Sequence, residues 1–131
     1  MSVEDHKAIV RRFYAEVVTG GDVDLIDELA ADDMTDHAAV AMGVGPGRVG
    51  FKKHVKAVRR AVPNFVADVD QLIGEDDLVV AYWRASGTTA VEFLGVPPGK
   101  SFTGDAISRL RFADGRIVEY RVLPGPVTVE S

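Results

Sequence analysis

The amino-acid sequence predicts an α+β fold, with three helices first and a mostly antiparallel four-strand sheet after them. Three observations carry this reading. Apolar residues recur at helical spacing in the N-terminal part, beginning with Val3, Val10, Phe13, Tyr14, Val17 and Val18. Beyond Pro63 they alternate with polar residues at the period of a strand. Between alternating runs stand turn formers, Val96-Pro97-Pro98-Gly99 and Asp114-Gly115, in which proline presets a bend and glycine accepts positive φ. The first belongs to a long antiparallel connection from Gly87 to Lys100, the second to a tight hairpin.

Taken in order, the first helix is stopped by Gly20-Gly21. Asp22 or Asp24 caps a second, short helix through about Ala30, with Leu25, Ile26 and Leu29 toward the core. Asp32 to His37 reads as a turn into a short strand, and the glycine-rich segment Ala41–Gly50 as a mobile loop. A third helix starts at Gly50. It sets Phe51, His54, Val55, Val58 and Ala61/Val62 on one face and most of Lys52, Lys53, Lys56, Arg59 and Arg60 on the other, and Pro63 ends it. Strands are expected at roughly 64–74, 78–87, 101–113 and 116–123. In the third, Gly104, Ala106, Ser108, Leu110 and Phe112 share one face, while Asp105, Ile107, Arg109 and Arg111 share the other. The charges mark that second face as outward. By the same logic Val118, Tyr120 and Val122 face inward, and Glu119 and Arg121 outward. A curved sheet with helices closing one face leaves a cavity.

The chain has 131 residues, suited to one domain spanning 1–131 with a genuine core. A net charge of −5 argues against nucleic acid or an anionic membrane as the main partner. The absence of cysteine excludes disulfide and thiolate chemistry. Glu4, Asp5 and His6 precede any apolar run, so no secretory leader is expected. No apolar run approaches the roughly 20 residues that span a bilayer, and a cytoplasmic location is the expectation. The glycines between Gly43 and Gly50 lack the following Lys-Ser/Thr of a phosphate loop, and the scattered histidines lack metal-ligand spacing, so no metal site is expected.

The phrase Gly87-Thr88-Thr89…Glu92-Phe93-Leu94-Gly95-Val96-Pro97-Pro98, followed by Arg111-Phe112-Ala113-Asp114-Gly115-Arg116-Ile117-Val118-Glu119, resembles the SnoaL-like polyketide cyclases of the nuclear-transport-factor-2-like superfamily. The opening, from Val10-Arg11-Arg12-Phe13-Tyr14 through Gly21-Asp22 to Asp36-His37, and the Ala61–Phe65 turn extend the likeness over nearly the whole chain. The resemblance implies a cone-shaped curved sheet around a pocket, a homodimer through the outer sheet face, and a hydrophobic, oxygenated small-molecule ligand. It also implies acid–base catalysis of a cyclase or isomerase without organic cofactor or metal.

The family's catalytic set does not carry over. The resemblance puts its general-base aspartate at Val122 and its histidine at Ser108. The isomerase branch's proton-shuttling carboxylate falls at Ala38 and its second acid again at Ser108. An aldol cyclisation or double-bond shift needs a group that takes a proton beside a carbonyl and another that stabilises the enolate. Asp36, in phase with Met34 and Ala38, is the candidate base, with adjacent His37 to orient or replace it. For Asp36 an exposed loop acid or a helix–loop hydrogen bond, and for His37 a histidine bonded to backbone, are the plainer readings. Tyr14 matches the register of the isomerase branch's oxyanion tyrosine; plain packing is its alternative. His54 reads as a core histidine or a pocket residue. Of the consecutive Tyr82, Trp83 and Arg84, either Trp83 faces inward or Tyr82 and Arg84 do; an inward Arg84 would pair with Asp36, resembling limonene-type epoxide hydrolases. Ser108, Tyr120 and Val122 are candidate pocket-wall residues. Met42, with Val44, is expected on a mobile lid over the ligand. A non-catalytic binder, an epoxide-hydrolase-like enzyme and a hydroxylase accessory stand as alternative functions.

Overall fold

In the computed structural model, which describes residues 1–130, the chain opens with α1 (Val3–Arg12). The Ser2 hydroxyl accepts from the Asp5 amide at 3.1 Å, and the Asp5 carboxylate accepts from the Ser2 amide at 3.0 Å, so two otherwise unsatisfied donors are met reciprocally. The helix then widens into a π-helical stretch, Phe13–Thr19. Its wider turn brings Phe13, Tyr14, Val17 and Val18 together on the buried side. A 3₁₀ turn (Val23–Leu25) leads into α2 (Ile26–Leu29), followed by β1 (Ala30–Asp36), α3 (His37–Met42) and α4 (Gly47–Ala61). Four long strands complete the chain: β2 (Val66–Glu75), β3 (Leu78–Thr88), β4 (Ser101–Ala113) and β5 (Arg116–Val129).

The expected α+β architecture is present, but the sheet has five strands, in the order β1-β5-β4-β3-β2. The short strand expected near Asp32 to His37 is β1; it joins the sheet parallel to β5, with Asp36 opposite Tyr120. The other pairings are antiparallel. At the β4–β5 hairpin Ala113 pairs with Arg116, and Asp114 and Gly115 both take positive φ, 50° and 76°. This is a type I′ turn, whose twist suits the flanking strands. The connection from β3 to β4 folds back on itself through a Phe93–Val96 bridge, with Leu94 and Gly95 left-handed at its tip. Buried Thr89 ties its base: the hydroxyl donates to the Pro97 carbonyl at 2.6 Å and accepts from the Lys100 amide at 3.1 Å.

The segment Ala41–Gly50 is a correction. It is not one continuous loop: Ala41 and Met42 end α3, Gly43 caps that helix at φ 70°, and α4 begins at Gly47, ahead of the expected Gly50. Gly50 is buried against Ala39, and a Cβ there would collide with the Gly45 carbonyl oxygen. Glycine serves here for close backbone approach, not for flexibility.

The inner face of β4 follows its alternation, with Phe102, Ala106, Ser108, Leu110 and Phe112 buried. On β5 the expectation fails at one point: Ile117 is buried and Val118 is not. A bulge between Arg111 and Phe112 shifts the pairing, and from Tyr120 onward the inward phase is restored. The outer face presents Tyr82, Ile107 and Leu123, opposite one another across β3, β4 and β5, all exposed. Among the described residues no helix is long and apolar enough to cross a membrane.

Candidate active site

Between the inner face of the sheet, the π-helical stretch and α4 lies a cavity of about 460 Å³. Its walls are aromatic and aliphatic. Phe13 and Tyr14 come from the π-helical stretch, Phe51 and Val55 from α4, Trp83 and Phe102 from the sheet. Each chain segment arrives there for a local reason. The wider helical turn lets Phe13 and Tyr14, consecutive in sequence, both face inward. Strand alternation does the same for Trp83, whose register partner Ala106 lies on the buried face of β4.

One buried hydroxyl organises the polar groups at the cavity floor. Ser108, with no exposed surface, accepts from the Tyr14 hydroxyl at 2.6 Å and from the Trp83 indole nitrogen at 2.9 Å. The Tyr120 hydroxyl stands 3.3 Å from that of Tyr14 and 3.4 Å from Ser108. Burial pushes the Tyr14 phenol well above its ordinary range, with the nearby Tyr120 adding to the effect. Burial pushes Tyr120 up to about 12, and the Asp36 charge acts in the same direction. Both phenols therefore keep their protons near neutral pH and serve as donors, not bases.

A second polar unit stands beside the first. Asp36 ends β1 fully buried; one carboxylate oxygen caps α3 by accepting from the Ala38 amide at 3.0 Å. The other lies 2.7 Å from Nδ1 of His54, which projects from α4 into the cavity wall. His54 and Tyr120 are neighbours there, with ring centroids 6.4 Å apart. Among the described residues no group of three or more His, Asp or Glu side chains converges as a metal site.

The structure sorts the candidate residues. His54, Tyr14, Tyr120, Trp83, Met42 and Val122 line the cavity, as does Ala38. Asp36 lies behind that wall, reaching the cavity through His54. Ser108 also lies behind it, beneath the phenols. Three residues are corrected. His37 belongs to the outer side, its Nε2 at 2.8 Å from Glu119 and its Nδ1 near Arg121 at 3.3 Å, because it leaves β1 one residue out of phase with Asp36. The same contact, with Arg109 and Arg111 close by, holds the Glu119 carboxyl below the usual range. Tyr82 and Arg84 flank the inward Trp83 and so face solvent; Arg84 pairs with Asp105 at 3.3 Å, far from the role of partner to Asp36. Among the cavity residues not foreseen are Phe93 and Leu94, which only the folded-back β3–β4 connection brings there, and Arg59 and Asp105, expected on outward faces. The His54–Asp36 pair was not foreseen either. The signal for it was a histidine set among Phe51, Val55 and Val58 on the apolar side of a helix.

A family model for SnoaL-like polyketide cyclases matches residues 8–130. Among solved structures, wild-type IdmH from Streptomyces antibioticus, described as a candidate polyketide cyclase, shares 29% identity at a TM-score of 0.73 and covers 90% of each chain. TsrD from Streptomyces laurentii superposes at a TM-score of 0.81 with 20% identity, over 95% of this chain and 90% of that one. AclR from Streptomyces galilaeus, described as a candidate hydroxylase, gives 0.76 and 22%, over 95% and 81%. These last two likenesses concern the fold. No curated protein matches the sequence.

Two measurements test the floor of the cavity. Ser108→Ala leaves the Tyr14 and Trp83 donors buried without an acceptor, so urea unfolding should show a loss of about 2–4 kcal/mol; an unchanged midpoint would refute the arrangement. The phenols also predict alkaline destabilisation. Below about pH 10 folded and unfolded states both hold these protons, and the stabilisation is complete. Above it the unfolded chain loses them first, so stability falls as pH climbs toward the folded Tyr120 value of about 12. Tyr120→Phe should flatten that decline in thermal melts.

Proposed function

The chain belongs to the SnoaL-like polyketide cyclase family over residues 8–130, and on that premise we propose that it is a cofactor-independent cyclase or isomerase. It would act by acid–base chemistry on a hydrophobic, oxygenated small molecule of polyketide type. The observation that carries this reading is the largely apolar cavity of about 460 Å³ onto which the hydrogen-bonded Tyr14–Ser108–Tyr120 cluster and the His54–Asp36 pair both open. That volume lies in the range of small-molecule sites, and a few placed polar groups in an apolar enclosure are what fixes a ligand's orientation. Tyr120, held protonated and only loosely bonded, supplies a donor to a carbonyl oxygen that gains negative charge on enolisation, while Tyr14, bonded to Ser108, braces it. Asp36 supplies the buried carboxylate. The enclosure excludes water and holds the reacting carbons together.

A second reading, a binder without catalysis, has its own observation. Ala38 and Val122 line the cavity where the family resemblance implies ionisable groups. The epoxide-hydrolase variant of the enzyme reading loses its motive, because Arg84 pairs with Asp105 on the outer face. The likeness to AclR lies below the identity at which activity transfers, so a hydroxylase role has only the fold behind it.

The two main readings separate in one experiment. Flat aromatic and partly cyclised polyketide-like ketones are screened for a rise in melting temperature, and those that bind are incubated with the protein and analysed by mass spectrometry. Enzyme action gives an isomer of equal mass, or a product lighter by one water. Stabilisation with no conversion of any bound ketone favours the binder. As to assembly, the exposed Tyr82, Ile107 and Leu123 stripe supports a homodimer through the outer sheet face. Sedimentation should then give twice 14.1 kDa, reduced to the monomer by Ile107→Lys; a monomeric parent would end that proposal.

A further inference from the structure

We propose that His54, oriented by Asp36, is the residue that takes and returns the proton in this cavity, with Tyr120 as the donor to the substrate oxygen. This rests on the acid–base reading above and names the groups that carry it out. The carboxylate fixes the imidazole. With Asp36 ionised and 2.7 Å away, Nδ1 carries the hydrogen and donates it to Oδ2, since the opposite tautomer would set two lone pairs face to face. Nε2 is then the acceptor. It forms no hydrogen bond within the described structure, and the side chain keeps 13% of its surface exposed, at the cavity wall.

The other titratable groups nearby are committed elsewhere. His37 is bound by Glu119 and Arg121 outside the cavity. The Asp105 carboxylate turns to Arg84. The Arg59 guanidinium donates to the Val18 and Thr19 carbonyls at 2.6 and 3.0 Å. Between the phenols, geometry also decides. Tyr14 has spent its proton on a short bond to Ser108, whereas Tyr120 has only long contacts, at 3.3 and 3.4 Å, and its ring adjoins His54.

The step balances without a co-reactant. Nε2 takes a proton from a carbon beside a carbonyl, and the C–H electron pair moves into an enolate whose oxygen Tyr120 holds by a hydrogen bond. Asp36 offsets the imidazolium. In an isomerisation, His54 returns the proton to another carbon of the enolate. In a cyclisation, the enolate carbon bonds to a second carbonyl of the same molecule, and His54 protonates the new alkoxide. His54 and Tyr120 would be catalytic residues, and Asp36 a positioning residue.

The test uses 5-nitrobenzisoxazole on the full chain. This flat probe needs only a base: its C–H proton leaves, the N–O bond breaks, and the oxygen departs as a phenolate while the electrons form a nitrile. The parent should turn it over, with a rate that rises with pH through one ionisation. His54→Gln, shown folded by circular dichroism, should lose about a hundredfold or more. Asp36→Asn should keep part of the rate but move the midpoint of its pH profile downward, because the imidazolium loses its counter-charge; a merely structural aspartate would leave the midpoint in place. Nitrogen-15 NMR should find the neutral His54 ring protonated at Nδ1.

His54→Gln turning over the probe as fast as the parent overturns the proposal and moves the base elsewhere, leaving the acid–base enzyme standing. A probe that raises the melting temperature without elimination above the His54→Gln level also overturns it, as does a ring protonated at Nε2. Failure of the enzyme reading itself would look different: His54-dependent elimination of the probe, with every bound ketone of the panel unconverted.

Discussion

Side chains that wall a cavity lack, on one side, the contacts a filled core would give them, so something besides mutual packing must hold them apart. In this protein that constraint is met at Ser108. A single buried hydroxyl accepts hydrogen bonds from Tyr14 on the first helix and from Trp83 on β3, fixing two large rings that belong to different layers. The ring of Tyr14 in turn packs against Trp83 at 5.0 Å and against Phe13 at 5.0 Å. Phe51 from α4 stacks on Phe13 and leans on Tyr120. Rings fixed at one end by a hydrogen bond cannot rotate into the open volume, and the cavity survives because its lining is stiff.

The parallel pairing of β1 with β5 is the second organising fact. It sets Asp36 and Tyr120 side by side in adjacent strands, so the carboxylate that orients His54 and the phenol that neighbours it share one rigid backbone. A loop could hold neither to the tolerance that proton transfer requires. The strand's end also explains why an ionised group is tolerated there. Asp36 gives one oxygen to the first turn of α3 and the other to the imidazole, so its charge is hydrogen-bonded at both oxygens although the side chain is fully buried.

Much of this was legible in the sequence where a local rule governed it. The Asp114-Gly115 turn, the alternation of β4 and the amphipathic α4 each follow from residue type and spacing alone. The inward phase of Asp36 was legible by counting from Met34. What stayed hidden depended on partners distant in the chain. A short strand was expected near Asp32 to His37, but not that it would join the sheet parallel to β5, a pairing no local pattern in either segment announces. Between Tyr82, Trp83 and Arg84 no local rule chooses; the register with Ala106 does. Ile117 took the core position expected of Val118 because a bulge on the opposite pairing inserted a residue. The glycines between Gly43 and Gly50 misled for another reason. Glycine signals permissive backbone or tight approach equally well, and only the fold shows that Gly50 lies against the Gly45 carbonyl.

The arrangement of charge gives the site a coupling that neither polar unit has alone. While His54 is neutral, the Asp36 carboxylate disfavours negative charge beside it, and it adds to the raised pKa of Tyr120. An oxyanion forming against the Tyr120 hydroxyl would meet that same repulsion. Once the imidazole takes a proton, the carboxylate and imidazolium nearly cancel as seen from the phenol, in surroundings where few other dipoles screen them. The repulsion therefore fades as the oxyanion appears. Outward charges do not interfere, because Glu119, Arg109, Arg111 and Arg121 are turned to the other face of the sheet and largely satisfy one another and His37. In the proposed reaction, proton removal and oxyanion stabilisation would thus be linked through the one buried charge of Asp36, hydrogen-bonded to both the α3 amide and the imidazole.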